Sequence, residues 1–359
     1  MTIQEIARRA KVSIATVSRT INRLPSVRPS LARRVHKVIR QVGYYPNTNA
    51  RALVSGRSRI FGLMVSEITN PFFPEIVQTF EDLGFANQYE MLLCSTSQDP
   101  ERFEVASRRM IERRVDGVAI LTFGKEEQFI DTFRRRNVPA VVIDLESSSP
   151  LLKTVRVDYR YGIRQAVQHL AALGHSRIAF ISGPAHVKTA MARKMAFTEC
   201  LKEIGLWTPP KLFVEGDHTM EGGMMAMSAL AVLPERPSAV ICSNDMTAIG
   251  VMRQAFELGV NVPSELSLVG FDDIHLAQFT TPPLTTVRMS QVEIARLAFA
   301  ALLDSVNIQR NGTSREAYTL RTDLVIRAST AIASERIRQA AKSGGQGTRR
   351  FELRSALRK

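Results

Sequence analysis

Cysteine is scarce in this chain. Its 359 residues hold three, Cys94, Cys200 and Cys242, far apart and without a C-x-x-C pair. That excludes a disulfide framework and leaves no sign of a zinc site, so they read as buried apolar filler in a reducing compartment. Long apolar runs are missing too. No stretch of about 18 apolar residues occurs, so no membrane-spanning helix is expected. Arg8 and Arg9 stand where a secretory leader needs an apolar run, so a cytoplasmic protein without a membrane partner is expected. The chain also lacks the spacings G-x-G-x-x-G and G-x-x-x-x-G-K-[ST], the G-x-S-x-G elbow and the H-E-x-x-H pair, and its six histidines are scattered. The common phosphate-cradling, nucleophilic and metalloprotease chemistries therefore have no motif to carry them. No enzyme, cofactor or metal is expected.

Acidic residues are nearly absent from the start of the chain. Residues 1–60 carry 13 Lys and Arg against Glu5 alone, and residues 334–359 carry eight against two. The remainder holds 27 basic and 31 acidic residues, within a net charge of +14. A basic head on a slightly acidic body indicates a polyanion-binding module joined to a domain with another task. Charge alone is equally compatible with a merely solvated basic surface.

The head has a clear helical period. In "TIQEIARRAKVSIATVSRTIN", Ile3, Ile6, Ala7 and Ala10 follow i, i+3, i+4, i+7, one face of a helix. Thr2 and Glu5 have capping-box spacing. Lys11 and Val12 leave a short turn before Ser13, a good N-cap for a second helix through Asn22. Val17 and Ile21 face inward from it. A third helix runs from Pro29 to Gly43, with Val35, Val38, Ile39 and Val42 as its inner stripe. Three short helices on one small core make a helix-turn-helix unit. Outward from the second helix stand Ile14, Ala15, Thr16, Ser18 and Arg19. Short side chains let a helix sink into the major groove, hydroxyls bond phosphates, and arginine donates two bonds to a guanine edge. A solvated amphipathic helix in a protein-binding bundle has the same pattern.

After residue 58 short β-rich runs alternate with helical patterns: "RIFGLMVSE", "YEMLLCST", "GVAILT", "AVVID", then "RIAFISG", "LFVEGD", "AVICSN" and "LSLVGFD". Near-continuous apolar strands alternating with helices mean parallel sheets covered on both faces. The two sets fit an α/β fold of two doubly wound parallel-sheet subdomains. In such sheets ligands bind beyond the carboxyl ends of the strands, which here carry Ser66, Asp144, Asp217, Asn244 and Asp272.

The head, with "VGYYPN" and "ARAL" after it, resembles the amino-terminal module of the lactose-repressor (LacI/GalR) family of bacterial transcription regulators. "NPFF", "RRVDGVAIL", "HLAALGHSRIAFISGP", "SNDMTAIGV", "VPSELSLVGFDD" and "PPLTTVR" extend the resemblance in order and spacing over residues 1–333. It implies a body similar to periplasmic sugar-binding proteins, with crossings between lobes near Val157–Tyr159, Thr286–Met289 and Arg321–Asp323. It implies that Ile14, Ala15 and Arg19 read bases, and that Thr2, Ser13, Thr16, Ser18, Asn22, Tyr44 and Asn47 contact DNA backbone. It implies an effector site of Phe72, Phe73 and Asp144 on one lobe and Thr189, Arg193, His218, Asn244 and Asp272 on the other. Carboxylates, an arginine, an amide and an aromatic suit a polyol. By itself, though, a Phe is more often core, and Asp144 or Asp272 equally suits a helix cap. The family often has a large aromatic at His218, a glutamine at Met289, and arginine at Val187 in purine-binding members, so a sugar or sugar derivative is expected rather than a purine. Lys11 departs from the family's usual glycine in the turn.

The expected organisation is a DNA-binding domain over 1–45, a hinge helix over 46–57, a two-lobed effector-binding and dimerisation domain over 58–333 and a basic flexible tail over 334–359. In the hinge, "PNTNARALVSGRS", the segment 47–54 is too short to hold as an isolated helix. Thr48, Asn49 and Ser55 by themselves read as an ordinary linker. The resemblance implies that two copies fold together on DNA, with small Ala50 allowing close approach, Leu53 wedged between base pairs, and Arg51 and Asn47 on the backbone. The tail lacks the leucine heptads of a tetramerising coiled coil. The expected function is thus a homodimeric regulator, a repressor, of a pseudo-palindromic double-stranded DNA operator, controlled by a small-molecule effector. The rival reading is a solute-binding protein of the periplasmic type, which the body alone allows.

Overall fold

The computed structural model describes residues 2–21, 26–44, 57–97, 99–122, 127–145, 151–311 and 318–334. The chain forms two units, Met1–Arg59 and Ile60–Lys359.

In the first unit, helices α1 (Ile3–Ala10), α2 (Ile14–Ile21) and α3 (Pro29–Val42) close on Ile6, Ala10, Val17 and Val35, all fully buried. The capping box at its start is half formed. The Glu5 N–H donates to Thr2 Oγ1 at 3.4 Å. The Glu5 carboxylate does not turn back to Thr2; it takes hydrogen bonds from Arg8 at 2.7 Å and Arg9 at 2.9 Å, which lower its pKa to about 2. Lys11 adopts the left-handed conformation, φ 51° and ψ 50°, and its N–H closes α1 on the carbonyls of Ala7 and Arg8. Its own carbonyl accepts from Arg34 Nη2 at 3.1 Å. Ser13 Oγ caps α2 by accepting the Thr16 N–H at 3.1 Å. Helix α3 starts with Pro29 and stops at Gly43, φ 59°, where a residue without Cβ meets no strain.

The second unit starts with β1 (Ile60–Val65), α4 (Phe73–Ala86), β2 (Glu90–Ser95), α5 (Pro100–Glu112), β3 (Gly117–Leu121), α6 (Glu127–Arg135), β4 (Ala140–Ile143) and β5 (Leu152–Asp158). Then follow α7 (Tyr159–Ala172), β6 (Ile178–Ser182), α8 (Lys188–Glu203), β7 (Phe213–Glu215), α9 (Met220–Ala231), β8 (Ala239–Cys242), α10 (Asp245–Glu257), β9 (Ser267–Asp272) and β10 (Thr285–Arg288). The last elements are α11 (Gln291–Asn311), β11 (Tyr318–Arg321) and β12 (Asp323–Val325). One six-stranded sheet has the order β11-β5-β4-β3-β1-β2, the other β12-β10-β9-β8-β6-β7. Every pairing is parallel except β10 with β12. Strands β1, β3, β4, β6, β8 and β9 are buried nearly end to end, the reason their sequences run apolar without alternating.

The chain crosses between sheets three times: from β5 into α7, between β10 and α11, and from β11 to β12. Thr322 ties these crossings together. Its hydroxyl donates to the Asp158 carbonyl at 2.6 Å and accepts the Gly162 N–H at 3.0 Å. A Cβ on Gly162 would lie 2.4 Å from Val287 Cγ1 and 2.7 Å from Thr322 Oγ1, so glycine is what lets all three crossings meet. The lobes share this narrow connection, and their strand carboxyl ends face one cleft. Among the described residues no helix is long and apolar enough to cross a membrane.

Candidate functional site

The first unit presents one surface suited to a groove. Ile14 is 46% exposed on a three-helix core that has little apolar surface to spare. Beside it Ser13, Ala15 and Arg19 are exposed, and Thr16 and Ser18 are half-buried. Ser13 Oγ and Thr16 Oγ1 lie 2.9 Å apart. One donates to the other, which leaves the second hydroxyl proton available to a phosphate oxygen. Thr2 is exposed at the start of α1, and Tyr44 packs its ring against the helical core. Asn22, Asn47, Ala50, Arg51 and Leu53 lie outside the described residues.

In the second unit the cleft between lobes is lined by Phe72, Phe73, Thr189, Arg193, His218, Asn244 and Asp272, seven of the eight positions named from sequence. Its volume is about 60 Å³, well below the roughly 300 Å³ of a small-molecule site. A small-molecule ligand enters only if the walls of the cavity move apart. Phe72 and Phe73 are both wall and core: they are nearly fully buried, with ring centroids 5.4 Å apart edge to face. Phe72 and Val187 occupy the N-cap positions of α4 and α8, and their own side chains carry no oxygen to cap the helix.

Asp144 does not line the cavity. Its Oδ1 accepts the Val157 N–H at 2.7 Å, pinning the strand that leads into the first crossing. Burial pushes its carboxyl up, against hydrogen bonds from Tyr159 and Val157. Asn244 has a structural duty as well. Its Oδ1 caps α10 through the Thr247 N–H at 2.9 Å, and its Nδ2 donates to the His218 carbonyl at 3.0 Å. One amide N–H is left for anything in the cleft.

Glu67, Asn70 and Pro184 line the site without having been named from sequence, while Ser66 and Asp217, placed at the cleft end of the strands, and Val187, named as a ligand-discriminating position, line it too though not assigned to the effector. Ser66 and Asp217 carried a usable signal, since both follow the ends of strands. Asn70 forms an Asx turn, its Oδ1 accepting the Phe72 N–H at 3.0 Å. That turn aims the two phenylalanines.

Arg193 is the charge centre of the cleft and is only 4% exposed. Nη1 donates to the Ser243 carbonyl at 2.5 Å, Nη2 pairs with Asp272 Oδ1 at 3.4 Å, and the guanidinium lies 4.0 Å over the Phe271 ring. Its charge is matched where Asp272 is ionised. Burial raises the Asp272 carboxyl to about 7 in spite of Arg193. Burial, and then the Arg193 charge, lower His218 to about 3, so it is neutral at physiological pH. Its Nε2 lies 2.6 Å from Ser243 Oγ, and a Cβ on Gly183 would fall 1.9 Å from the same nitrogen. Burial also works against the Asp217 charge, but hydrogen bonds from Thr219 prevail and hold it below the usual carboxylate range. Two atoms of the lining, Ser66 Oγ and Arg193 Nε, are buried without a hydrogen-bond partner among the described residues. Orphaned polar atoms gathered in one place call for an explanation, and a polar ligand is one. Among the described residues no cluster of His, Cys, Asp and Glu is placed to hold a metal ion.

A helix-turn-helix head joined to a two-lobed body with a polar cleft defines the class of DNA-binding regulators built on a solute-binding-protein fold. The comparisons with known proteins agree. The family model described as bacterial regulatory proteins, lacI family, matches residues 2–47, and a periplasmic binding protein-like domain matches residues 167–330. The chain is 34% identical to the HTH-type transcriptional repressor CytR of Escherichia coli K12, over 92% of this chain and 96% of that protein. The structure of the lac repressor dimer bound to operator and the anti-inducer ONPF superposes with a TM-score of 0.82 at 25% identity, over 92% of this chain and 99% of that one. A LacI family regulator from Enterococcus faecium with bound ribose superposes with a TM-score of 0.66 at 26% identity, over 77% and 100%. The chain belongs to the lacI family of bacterial regulatory proteins and is a DNA-binding transcriptional regulator.

Proposed function

We propose that the protein is a homodimeric repressor of a pseudo-palindromic operator, working in the cytoplasm, and that an uncharged sugar or sugar derivative in the cleft sets its DNA affinity. In this reading residues 1–45 bind DNA, 46–57 form the hinge helix, 58–333 bind effector and partner, and 334–359 are a basic tail. Ile14, Ala15 and Arg19 read bases. Thr2, Ser13, Thr16, Ser18, Asn22, Tyr44 and Asn47 hold backbone, and Ala50, Arg51 and Leu53 act in the minor groove. Pairing through the bodies is supported by apolar side chains left open to solvent, among them Phe85, Met225, Val232 and Phe256, each more than 70% exposed. No catalytic role is assigned to any residue.

The observation that carries the effector reading is the set of buried, unpartnered polar atoms at the cleft. Hydroxyls of a polyol both donate and accept, so they satisfy Ser66 Oγ and Arg193 Nε together. Phe72 and Phe73 cover an apolar ring face. An uncharged effector is favoured because Asp272, where ionised, matches Arg193, while Glu67 and Asp217 in the wall have no cation against them among the described residues. The narrow cleft must widen for the ligand, and the crossings around Gly162 and Thr322 are the pivot. Effector and DNA affinities are then reciprocally linked through that change.

The test combines two measurements. A duplex is selected from a random pool by the full chain, and sugars, sugar acids and sugar phosphates are screened by thermal shift. An uncharged sugar that raises the melting temperature and changes affinity for the selected duplex is the expected result. A binder that leaves DNA affinity unchanged defeats the coupling, and a pool that yields no preferred sequence defeats the repressor reading.

A further inference from the structure

The charge of the body is segregated. Although residues 61–333 hold 27 basic and 31 acidic side chains, one edge of the first sheet is strongly basic. In a parallel sheet all strands start at the same edge, and the helices that precede them end there. The segments 57–60, 87–90, 112–117, 134–140 and 151–153 lead into β1, β2, β3, β4 and β5 and share that edge. Together they hold eight basic residues and three acidic ones. Backbone pairing sets them side by side: the Asp116 N–H donates to the Ile60 carbonyl at 2.8 Å and the Val118 N–H to the Pro139 carbonyl at 2.9 Å. This edge lies at the opposite end of the strands from the effector cleft.

The charge comes mainly from two arginine runs. Arg113 and Arg114 follow α5, Arg134 and Arg135 end α6, and Arg136 follows it. Arg134 pairs with Asp131 at 3.1 Å. Arg113, Arg114, Arg135 and Arg136 are exposed, and no ion pair to any of the four occurs among the described residues. Cations do stabilise helix carboxyl ends, but the neighbouring helices need few. The last turns of α4, α9 and α10 have none, that of α8 has Lys202, and that of α7 has only His169, which burial holds toward its neutral form. Helix ends do not account for two runs of like charge at one edge, where they repel each other. A polyanion relieves that repulsion.

The same edge is where the chain from the DNA-binding unit enters the body, because Ile60 opens β1. Between Tyr44 and Arg57 the chain spans less than about 50 Å even fully extended. DNA held by the first unit therefore keeps its phosphates at high local concentration around the edge. We propose that Arg113, Arg114, Arg135 and Arg136 form a second, sequence-independent DNA contact, resting on phosphates that flank the bases read by α2. This contact adds affinity and salt dependence but no sequence information.

The test uses the full chain and two duplexes, one of 40 base pairs with the selected site at its centre and one trimmed to that site. In the variant with all four arginines changed to Gln, binding to the long duplex at about 0.1 M salt is expected to weaken at least tenfold. The slope of log K against log salt is expected to fall by about 2 to 4, at ~0.9 per phosphate contact. The trimmed duplex loses less than twofold. Changing the same four to Lys preserves the slope, because a phosphate needs only the charge. A control with Lys202, Lys211, Arg236 and Arg296 changed to Gln has the same net charge and leaves the slope alone. An unchanged slope in the first variant overturns the proposal, as does an equal loss in the control or on the trimmed duplex. Binding of a poly-glutamate probe that the four substitutions abolish, with DNA binding intact, assigns the edge to an acidic protein instead and also overturns it. Melting temperatures within a few degrees of wild type confirm that the variants are folded.

Discussion

Arg193 and Asp272 form an ion pair across the floor of the cleft, 3.4 Å from Nη2 to Oδ1, with both side chains almost fully buried. The pair sets the electrostatics of the site, because each partner leaves a buried charge unmatched if the other is lost. Removing one member of a buried pair costs about 3–5 kcal/mol, most of it the desolvated charge left behind. Arg193→Met is therefore expected to destabilise the protein by about 3 kcal/mol at pH 8. At pH 6 Asp272, with its pKa near 7, takes up a proton and the loss shrinks. Urea denaturation at the two pH values measures both numbers. An equal loss at each would show that the Asp272 charge is not what the arginine matches.

The pH dependence of stability has two opposing contributions in this cleft. His218 has a folded pKa of about 3, below its unfolded value of 6.5, so its contribution is complete above about 6.5 and is lost as pH falls toward 3. Asp272 has a folded pKa of about 7, above its unfolded 3.8, so its contribution is complete below about 3.8 and is lost as pH rises through 7. Each acts with a slope of at most about 1.4 kcal/mol per pH unit. His218→Asn keeps a residue tolerant of the φ of 68° found there. Its melting temperature is expected to fall less than that of wild type between pH 7 and pH 4. Parallel curves would rule out His218 as a source of acid sensitivity.

Lys11 holds a left-handed conformation in the turn between α1 and α2. A residue with a Cβ is strained there by roughly 1–2 kcal/mol, while glycine adds about 0.5–1 kcal/mol of chain entropy to the unfolded state. Lys11→Gly is expected to stabilise the amino-terminal unit by up to ~1 kcal/mol, read from its thermal or urea transition. A destabilised variant would mean that the lysine side chain makes up for the strain.

Gly162 sits where the three crossings meet, with Val287 and Thr322 closer than a Cβ allows. Gly162→Ala is expected to cost about 1–3 kcal/mol by overpacking. It is also expected to blunt the change in DNA affinity caused by an effector, since the proposed pivot of the lobes lies at that point. Urea denaturation and DNA binding with and without effector check the two effects separately. A variant that loses stability yet responds fully places the pivot elsewhere.

Much of the fold was legible in the sequence for simple physical reasons. Strands buried on both faces, such as "RIAFISG" and "LSLVGFD", must be apolar without alternation, so they show as runs. Short helices must cap their ends, so Ser13, Pro29 and Gly43 marked α2 and α3. The cleft was harder. Asp144 and Asp272 both end strands and look alike in sequence, yet Asp272 reaches the wall and Asp144 turns to the Val157 N–H. Asn244, named for a ligand, caps α10 as well. Which oxygen of a side chain is already occupied depends on neighbours that no local pattern reveals.

The sequence by itself determined the elements, the two-sheet class and the basic head, because periodicity, caps and charge are local or additive properties. Only the tertiary structure decided which polar atoms are left unpartnered and which arginines share an edge. Ser66 and Arg193 are 127 residues apart, and Arg113 and Arg136 follow different helices. Parallel strand order and the crossings at Gly162 bring them into the same places, and chain folding of that range leaves no imprint in any short stretch of sequence.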